Sequence, residues 1–255
     1  MKFRAPLDPS KEKVKATFDP DRYHGLDSQS RTLEALATAS AYNDWMFSLF
    51  EEFIGNRVLE IGCGTGNLTR HLVEKADEVT AIDIHPEYLR LLSRSVQVPK
   101  GHTLIVRNQN FLEDMTDLVG YDTVVLINVL EHLPEPDEAL RRIHQALTTN
   151  GRVIVLVPAL RLLYSRFDEL IGHYRRYTCK SLAGELSRAG FTIKKNTYFN
   201  ILGVAGWWLR FCLLKREYFT TRAVGMFESL APLMRAIESL ASPPIGLSVV
   251  GVGEK

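Results

Sequence analysis

Residues 57 to 66 read RVLEIGCGTG: strand-forming letters run straight into a turn whose glycines fall at alternate places, Gly62, Gly64 and Gly66, and Asn67 then opens a helical stretch. Glycine at a strand-to-helix turn lets backbone come close to a ligand, and the helix start adds N–H donors. A nucleotide-like ligand is implied. A dinucleotide fingerprint, G-x-G-x-x-G, needs glycine where this chain has Asn67, so the spacing argues against a pyrophosphate.

Working outward, short β-rich runs alternate with helical ones: 57–62, 68–76, 78–83, 87–96, 103–107, 121–128, 137–147 and 152–157. Stretches such as VTAID, TLIV, TVVLI and VIVLV are almost unbroken Val, Ile and Leu. Parallel strands buried on both faces have this composition. The rhythm predicts an α/β fold, a doubly wound, mostly parallel sheet. A helix is expected over 179–189, capped by Thr178 and ended at Gly190, with strands at 191–199 and 247–252.

Four segments follow. Residues 1–56 form a proline-bearing lead-in and cap helices, with helical spacing of apolar residues from Ser30; 57–199 form the α/β core; 200–245 form a helical insert; 246–255 carry the last strand. The insert is apolar nearly all round, with Trp207 and Trp208 followed by Lys215 and Arg216. Its grease could be buried on the sheet, in a second subunit or at a lipid interface.

Composition narrows the partners. Lys and Arg total 31 against 30 acidic residues, a net charge of +1, so no bulk field favours nucleic acid. Three scattered cysteines fit neither a disulfide framework nor a zinc spacing and suit a reducing, cytoplasmic compartment. No signal peptide is expected, and the run ILGVAGWWL falls short of the ~18 residues of a spanning helix. A monomer or homodimer in peripheral contact with a membrane remains compatible.

Taken in order, the motifs resemble those of the class I S-adenosylmethionine-dependent methyltransferases, in the subgroup with VLEIGCGTG as first motif and D-x-V-x-x-x-N-V-L-E-H-L at the fourth strand. The resemblance covers about residues 42 to 199. It implies a seven-stranded sheet and S-adenosylmethionine as cofactor, with S-adenosylhomocysteine as product. On the matching positions it implies that Glu60, Gly62, Cys63, Gly64 and Gly66 surround the amino-acid end of the cofactor. Asp83, with Ile84 beside it, would accept hydrogen bonds from both ribose hydroxyls, because a carboxylate offers only acceptors and a diol two donors. Asn110 and Phe111 would hold the adenine where relatives carry Asp, with Gln109 the competing assignment. Asn128 would line the methionine part. Quinone-pathway relatives that hold a divalent metal carry a Glu in that place, so no metal is expected here.

Methyl transfer from a sulfonium needs alignment and exclusion of water more than a triad. For a hydroxyl acceptor a neutral imidazole is a fitting base, which makes His132 and His173 the catalytic candidates. His173 sits in GHYRRYT, on the loop after the fifth strand. There Arg175 and Arg176 could grip an acidic group of the acceptor between Tyr174 and Tyr177, or they could pair with Asp168 and Glu169 and pin the loop. The expected activity is methylation of a small molecule, at oxygen, with sugar, acidic and lipid-linked acceptors all in view. A nicotinamide-dependent oxidoreductase and a non-catalytic binding module are the competing readings.

Overall fold

A computed structural model describes residues 39–216, 218 and 221–255. The expected lead-in, and the start of the helical pattern at Ser30, fall outside the described residues. The first described helix is α1 (Ser40–Ser48).

Seven strands make one sheet: β1 (Arg57–Ile61), β2 (Glu78–Asp83), β3 (Thr103–Asn108), β4 (Tyr121–Ile127), β5 (Leu147–Pro158), β6 (Thr192–Phe199) and β7 (Ser248–Glu254). Their order is β3-β2-β1-β4-β5-β7-β6, with every pair from β3 to β5 parallel and β7 antiparallel to both neighbours. The order reverses between β1 and β4, and the crevice at the carboxyl ends of those strands is where such sheets take ligands.

Alternation along the strands explains the burial on both faces. Val58, Val125, Ile154 and Leu156 join the apolar layer on one face, while Leu59, Val124, Leu126, Val153 and Val155 join the layer on the other. Period-two side chains with no polar phase demand helices on both sides. These are α2 (Thr69–Lys75), α3 (Pro86–Ser95), α4 (Pro136–Ala146) and α6 (Cys179–Arg188). Pro86 and Pro136 each start a helix, where a missing N–H costs nothing. Thr178 caps α6 through its hydroxyl, 3.1 Å from the Ser181 N–H, as its sequence predicts. Gly251 on β7 keeps α6 close: a Cβ there would lie 2.8 Å from Leu182.

Residues 200–240 fold as α7 (Ile201–Trp207), a π-helical continuation (Trp208–Leu213) and α8 (Thr221–Leu240). Contact with the core explains the inner half of their grease. Phe227, Ala231 and Met234 of α8 join the apolar layer containing Trp45 and Phe199, and Phe227 meets the Tyr42 ring at 5.3 Å. Glu228 caps α1, its carboxylate accepting from the Ser40 hydroxyl and the Ala41 and Tyr42 N–H groups. Trp207 and Phe211 turn in over Phe167. No helix among the described residues is long and apolar enough to cross a membrane.

Candidate functional site

The glycine turn uses a left-handed backbone that glycine adopts at no steric cost. Gly62, Gly64 and Gly66 have φ of 73°, 54° and 90°. A Cβ on Gly62 would stand 2.4 Å from Val129, so the turn lies against the tip of β4. Asp83, at the end of β2, fastens the turn from the other side: one carboxylate oxygen accepts from the Gly64 N–H and the other from the His85 N–H, each at 2.9 Å. Burial raises the Asp83 pKa, and those two donors oppose it. Each oxygen keeps a lone pair for a further donor.

Two neighbours look inward. The Glu60 carboxyl accepts from the Thr69 hydroxyl at 2.6 Å, and burial pushes its pKa up to about 8. The Cys63 thiol packs with Ala81, Leu89 and Leu92, and burial pushes its pKa up. The Cys63 side chain is thus spent on packing, and its backbone N–H donates to the Ile82 carbonyl at 3.1 Å.

At the tip of β3 the Asn110 amide is committed locally, accepting from the Leu112 N–H and donating to Glu113, both at 3.1 Å. Phe111 is buried in the core. The competing Gln109 amide donates to the Asp114 carbonyl and to Asp117. Ile84 is half-buried beside Asp83. Asn128 stands exposed at the tip of β4 with φ of 53°, its N–H held by the Leu156 carbonyl at 2.9 Å. Asn enters this left-handed region more readily than most residues do, and strain of this kind collects at ligand sites.

Beyond β4, the short 3-10 helix Leu130–His132 meets the loop that follows β5. That loop contains a short helix, α5 (Arg166–Leu170), where a plain loop is expected; Ser165 and Asp168 stand at capping-box spacing. Asp168 is fully buried. Its carboxylate accepts from the Ser165 N–H and hydroxyl, from Arg176 Nε at 2.9 Å and Nη2 at 3.2 Å, and from His173 Nδ1 at 3.0 Å. Burial works to raise the Asp168 pKa, but the His173 hydrogen bond and the Arg176 charge hold it below the usual range.

His173 is buried too, and burial lowers its pKa. An ionised Asp168 requires the proton on Nδ1, which leaves Nε2 as a lone pair 3.7 Å from Glu131 Oε1. Glu131 is fully buried, and its carboxyl pKa is pushed up to about 8 by that burial. The His132 ring crosses the His173 ring edge-on at 4.6 Å, and burial and the neighbouring imidazole lower its pKa well below the ordinary value.

The acceptor wall expected from GHYRRYT is therefore corrected in part. Arg176 faces its own loop, bonded to Asp168 and, at 3.0 Å, to the Ala159 carbonyl, with the Trp207 ring 4.3 Å away. Tyr177 is buried among the core side chains of one sheet face. Arg175 takes neither sequence alternative wholly: one nitrogen donates to the Pro134 carbonyl at 2.8 Å rather than to Glu169, and the guanidinium stays half-buried beside Tyr174. Glu131, His132 and His173 each offer a ligand atom within 4.8 Å of the others. Nothing in the letters announces this grouping, because His173 arrives from a distant loop.

Comparison with known proteins fits this geometry. A family model described as a methyltransferase domain matches residues 26–196. The chain belongs to the S-adenosylmethionine-dependent methyltransferase family. Among curated relatives, the ubiquinone biosynthesis O-methyltransferase of Xanthomonas euvesicatoria pv. vesicatoria is 31% identical over 105 residues, 41% of this chain and 44% of that protein. The match thus spans less than half the length of that relative. A SAM-dependent methyltransferase from Archaeoglobus fulgidus shares the fold, with a TM-score of 0.56 and 15% identity over 82% of this chain and 91% of that one. So does the [4+2]-cyclase SpnF, with a TM-score of 0.54 and 17% identity over 83% of this chain and 81% of that one. A cyclase on the same fold means that the reaction must be argued from the site.

As a member of the methyltransferase family, the chain has S-adenosylmethionine as its expected cofactor. The residues fit it. Asp83 supplies acceptors for a diol, and Gly62 and Asn128 stand exposed at neighbouring strand tips.

Proposed function

We propose that the protein transfers a methyl group from S-adenosylmethionine to an oxygen of a small-molecule acceptor, and that it works in the cytoplasm. The observation that carries this reading is the pairing of the Asp83-braced glycine turn with imidazoles held neutral by burial at the adjoining strand tip. When bound, the cofactor supplies an activated methyl group on a sulfonium. Asp83 holds the ribose diol, and the backbone of Gly62, Cys63, Gly64 and Gly66 lies along the amino-acid end, with Glu60 fixing the turn through Thr69. Ile84 borders the ribose side, Asn110 and Phe111 the adenine side, and Asn128 the methionine side.

His132 is the more open of the two imidazoles and takes the acceptor hydroxyl proton on a ring nitrogen. His173, tied to Asp168, positions that ring through their edge-on contact. Arg175, with Tyr174 beside it, binds an acidic group of the acceptor; sugar acids and lipid-linked acids are the classes to assay. No metal is required in this reading, because Asn128 stands where metal-holding relatives carry Glu.

Incubation with S-adenosylmethionine carrying a labelled methyl group tests this reading. Label is expected in an O-methyl product from an acidic acceptor, at the same rate with and without EDTA. Label found only on nitrogen or carbon, or loss of turnover in EDTA with recovery on adding magnesium, would refute the corresponding part. A second outcome concerns the acceptor alone: Arg175→Ala should raise KM for an acidic acceptor about tenfold or more while leaving S-adenosylhomocysteine affinity unchanged, as loss of one charged hydrogen bond implies. Wild-type KM in that variant would remove Arg175 from the acceptor site.

A further inference from the structure

We propose that the outward face of α8, together with the π-helical turn after α7, is a docking surface for an anionic lipid bilayer. The argument begins with spacing. Met226, Leu230, Leu233, Ile237 and Leu240 recur at alternating steps of four and three along α8, which sets them in one stripe, and all five are exposed, Leu240 to 87%. This stripe is separate from the inner one, Phe227, Ala231 and Met234, which already packs on the core. The π-helical turn repeats the arrangement: Trp207 and Phe211 face Phe167, while Trp208, Leu209 and Leu213 stay exposed. Five exposed apolar side chains in one stripe of a helix are more than monomeric proteins ordinarily leave uncovered.

The charges select the occupant. Glu228 and Glu238, the acidic residues of α8, both turn inward: the first caps α1, and the second accepts from the Asn200 and Ile201 N–H groups at 3.0 and 2.7 Å. Among the residues from 208 to 240 whose burial is described, the exposed charged side chains are Lys215, Arg216 and Arg235. A greasy face edged by an exposed Trp and, among the described residues, by cations matches a bilayer whose headgroups are anionic. A second copy of the chain, docked by the same face, would bring the same cations against these and is disfavoured.

The surface is also mechanically joined to the site. The Trp207 Nε1–H donates to the Leu163 carbonyl at 3.1 Å, and the Trp207 ring lies beside Arg176, so α7 and its π-helical turn are anchored on the loop that carries His173. A lipid-linked acceptor would reach the site along this layer, and to that extent the inference rests on the proposed function; vesicle binding needs no turnover, so either can fail alone.

The full chain is sedimented with vesicles of phosphatidylcholine alone and of phosphatidylcholine mixed with phosphatidylglycerol. Binding is expected to the mixed vesicles, about tenfold or more tighter than to the neutral ones, and weakened by salt. Leu230→Glu/Leu233→Glu and Lys215→Glu/Arg216→Glu should each reduce it about tenfold or more, while S-adenosylhomocysteine affinity and the circular dichroism melt stay unchanged. The proposal is overturned if no vesicle is bound, if both double variants bind as the parent does, or if light scattering finds a stable homodimer that Leu230→Glu/Leu233→Glu separates while vesicles are ignored.

Discussion

Asp83→Ala is expected to weaken S-adenosylhomocysteine binding by about 100-fold or more, from the loss of two hydrogen bonds to a charged acceptor at roughly 1.5–3 kcal/mol each. The expectation has a second source beyond the ligand. Asp83 is also the brace of the turn, accepting from Gly64 and His85. Removing it frees the Gly64 N–H and relaxes a segment whose φ values only glycine holds comfortably. The variant should still fold, because Asp83 ends its strand at the rim of the sheet and its neighbours Ala81 and Ile82 keep their core contacts. Isothermal titration gives the number, and a parallel titration with NADH should give no heat in either protein. Wild-type affinity for S-adenosylhomocysteine in Asp83→Ala would remove the ribose role; heat with NADH would revive the oxidoreductase reading.

Arg176→Ala should destabilise the protein by about 3–5 kcal/mol, the usual cost of stranding one member of a buried ion pair. The change leaves Asp168 buried without its bidentate partner, frees the Ala159 carbonyl and strips the Trp207 ring of the cation beside it. Domains of this kind have about 5–15 kcal/mol in total, so the loss should appear as a large drop in urea midpoint. Replacing both charges, Arg176→Met with Asp168→Leu, should recover much of that loss, since the stranded carboxylate goes with its partner.

Acid should act through the same cluster. Asp168 has a depressed folded pKa, so the stability it contributes is present above its unfolded value and lost as pH falls through the folded one. His173, also depressed and buried neutral, penalises folding once the unfolded imidazole takes a proton below roughly pH 6.5. For this pair both signs agree, so its contribution should weaken as the solution is acidified from neutrality, while Glu131 and Glu60, whose folded pKa values are raised, act in the opposite sense. A urea midpoint in Arg176→Ala equal to the parent's would show that the pair contributes no net stability.

The sheet was legible because its evidence is local. Unbroken Val and Ile runs such as 124–126 and 153–156 have few folded alternatives to a strand buried on both faces, and glycines spaced as 62, 64 and 66 leave little choice of turn. The loop from 159 to 178 was not legible, because the partner of each guanidinium is a tertiary fact. Arg175 and Arg176 are adjacent and chemically alike, yet one lies half-exposed against Pro134 while the other enters a buried network. No pattern in the letters separates them. The Ser165–Asp168 spacing was a readable cap signal, and it would have located Asp168 but not its visitors. Hydrophobic letters in α8 likewise announced grease without saying that one stripe would meet the core and the other would not.

The antiparallel placement of β7 between β5 and β6 constrains the order in which the molecule can be made. Among the described strands, the sole partner of β6 is β7. During synthesis, then, β6 emerges well before the strand it must pair with, and β5 presents an open edge for as long as the intervening helices are being translated. An open strand edge invites wrong partners. Helix α8, which covers the core face formed by α1, is translated within that interval, so the nascent chain can shield part of its apolar surface before the final ladder closes the sheet.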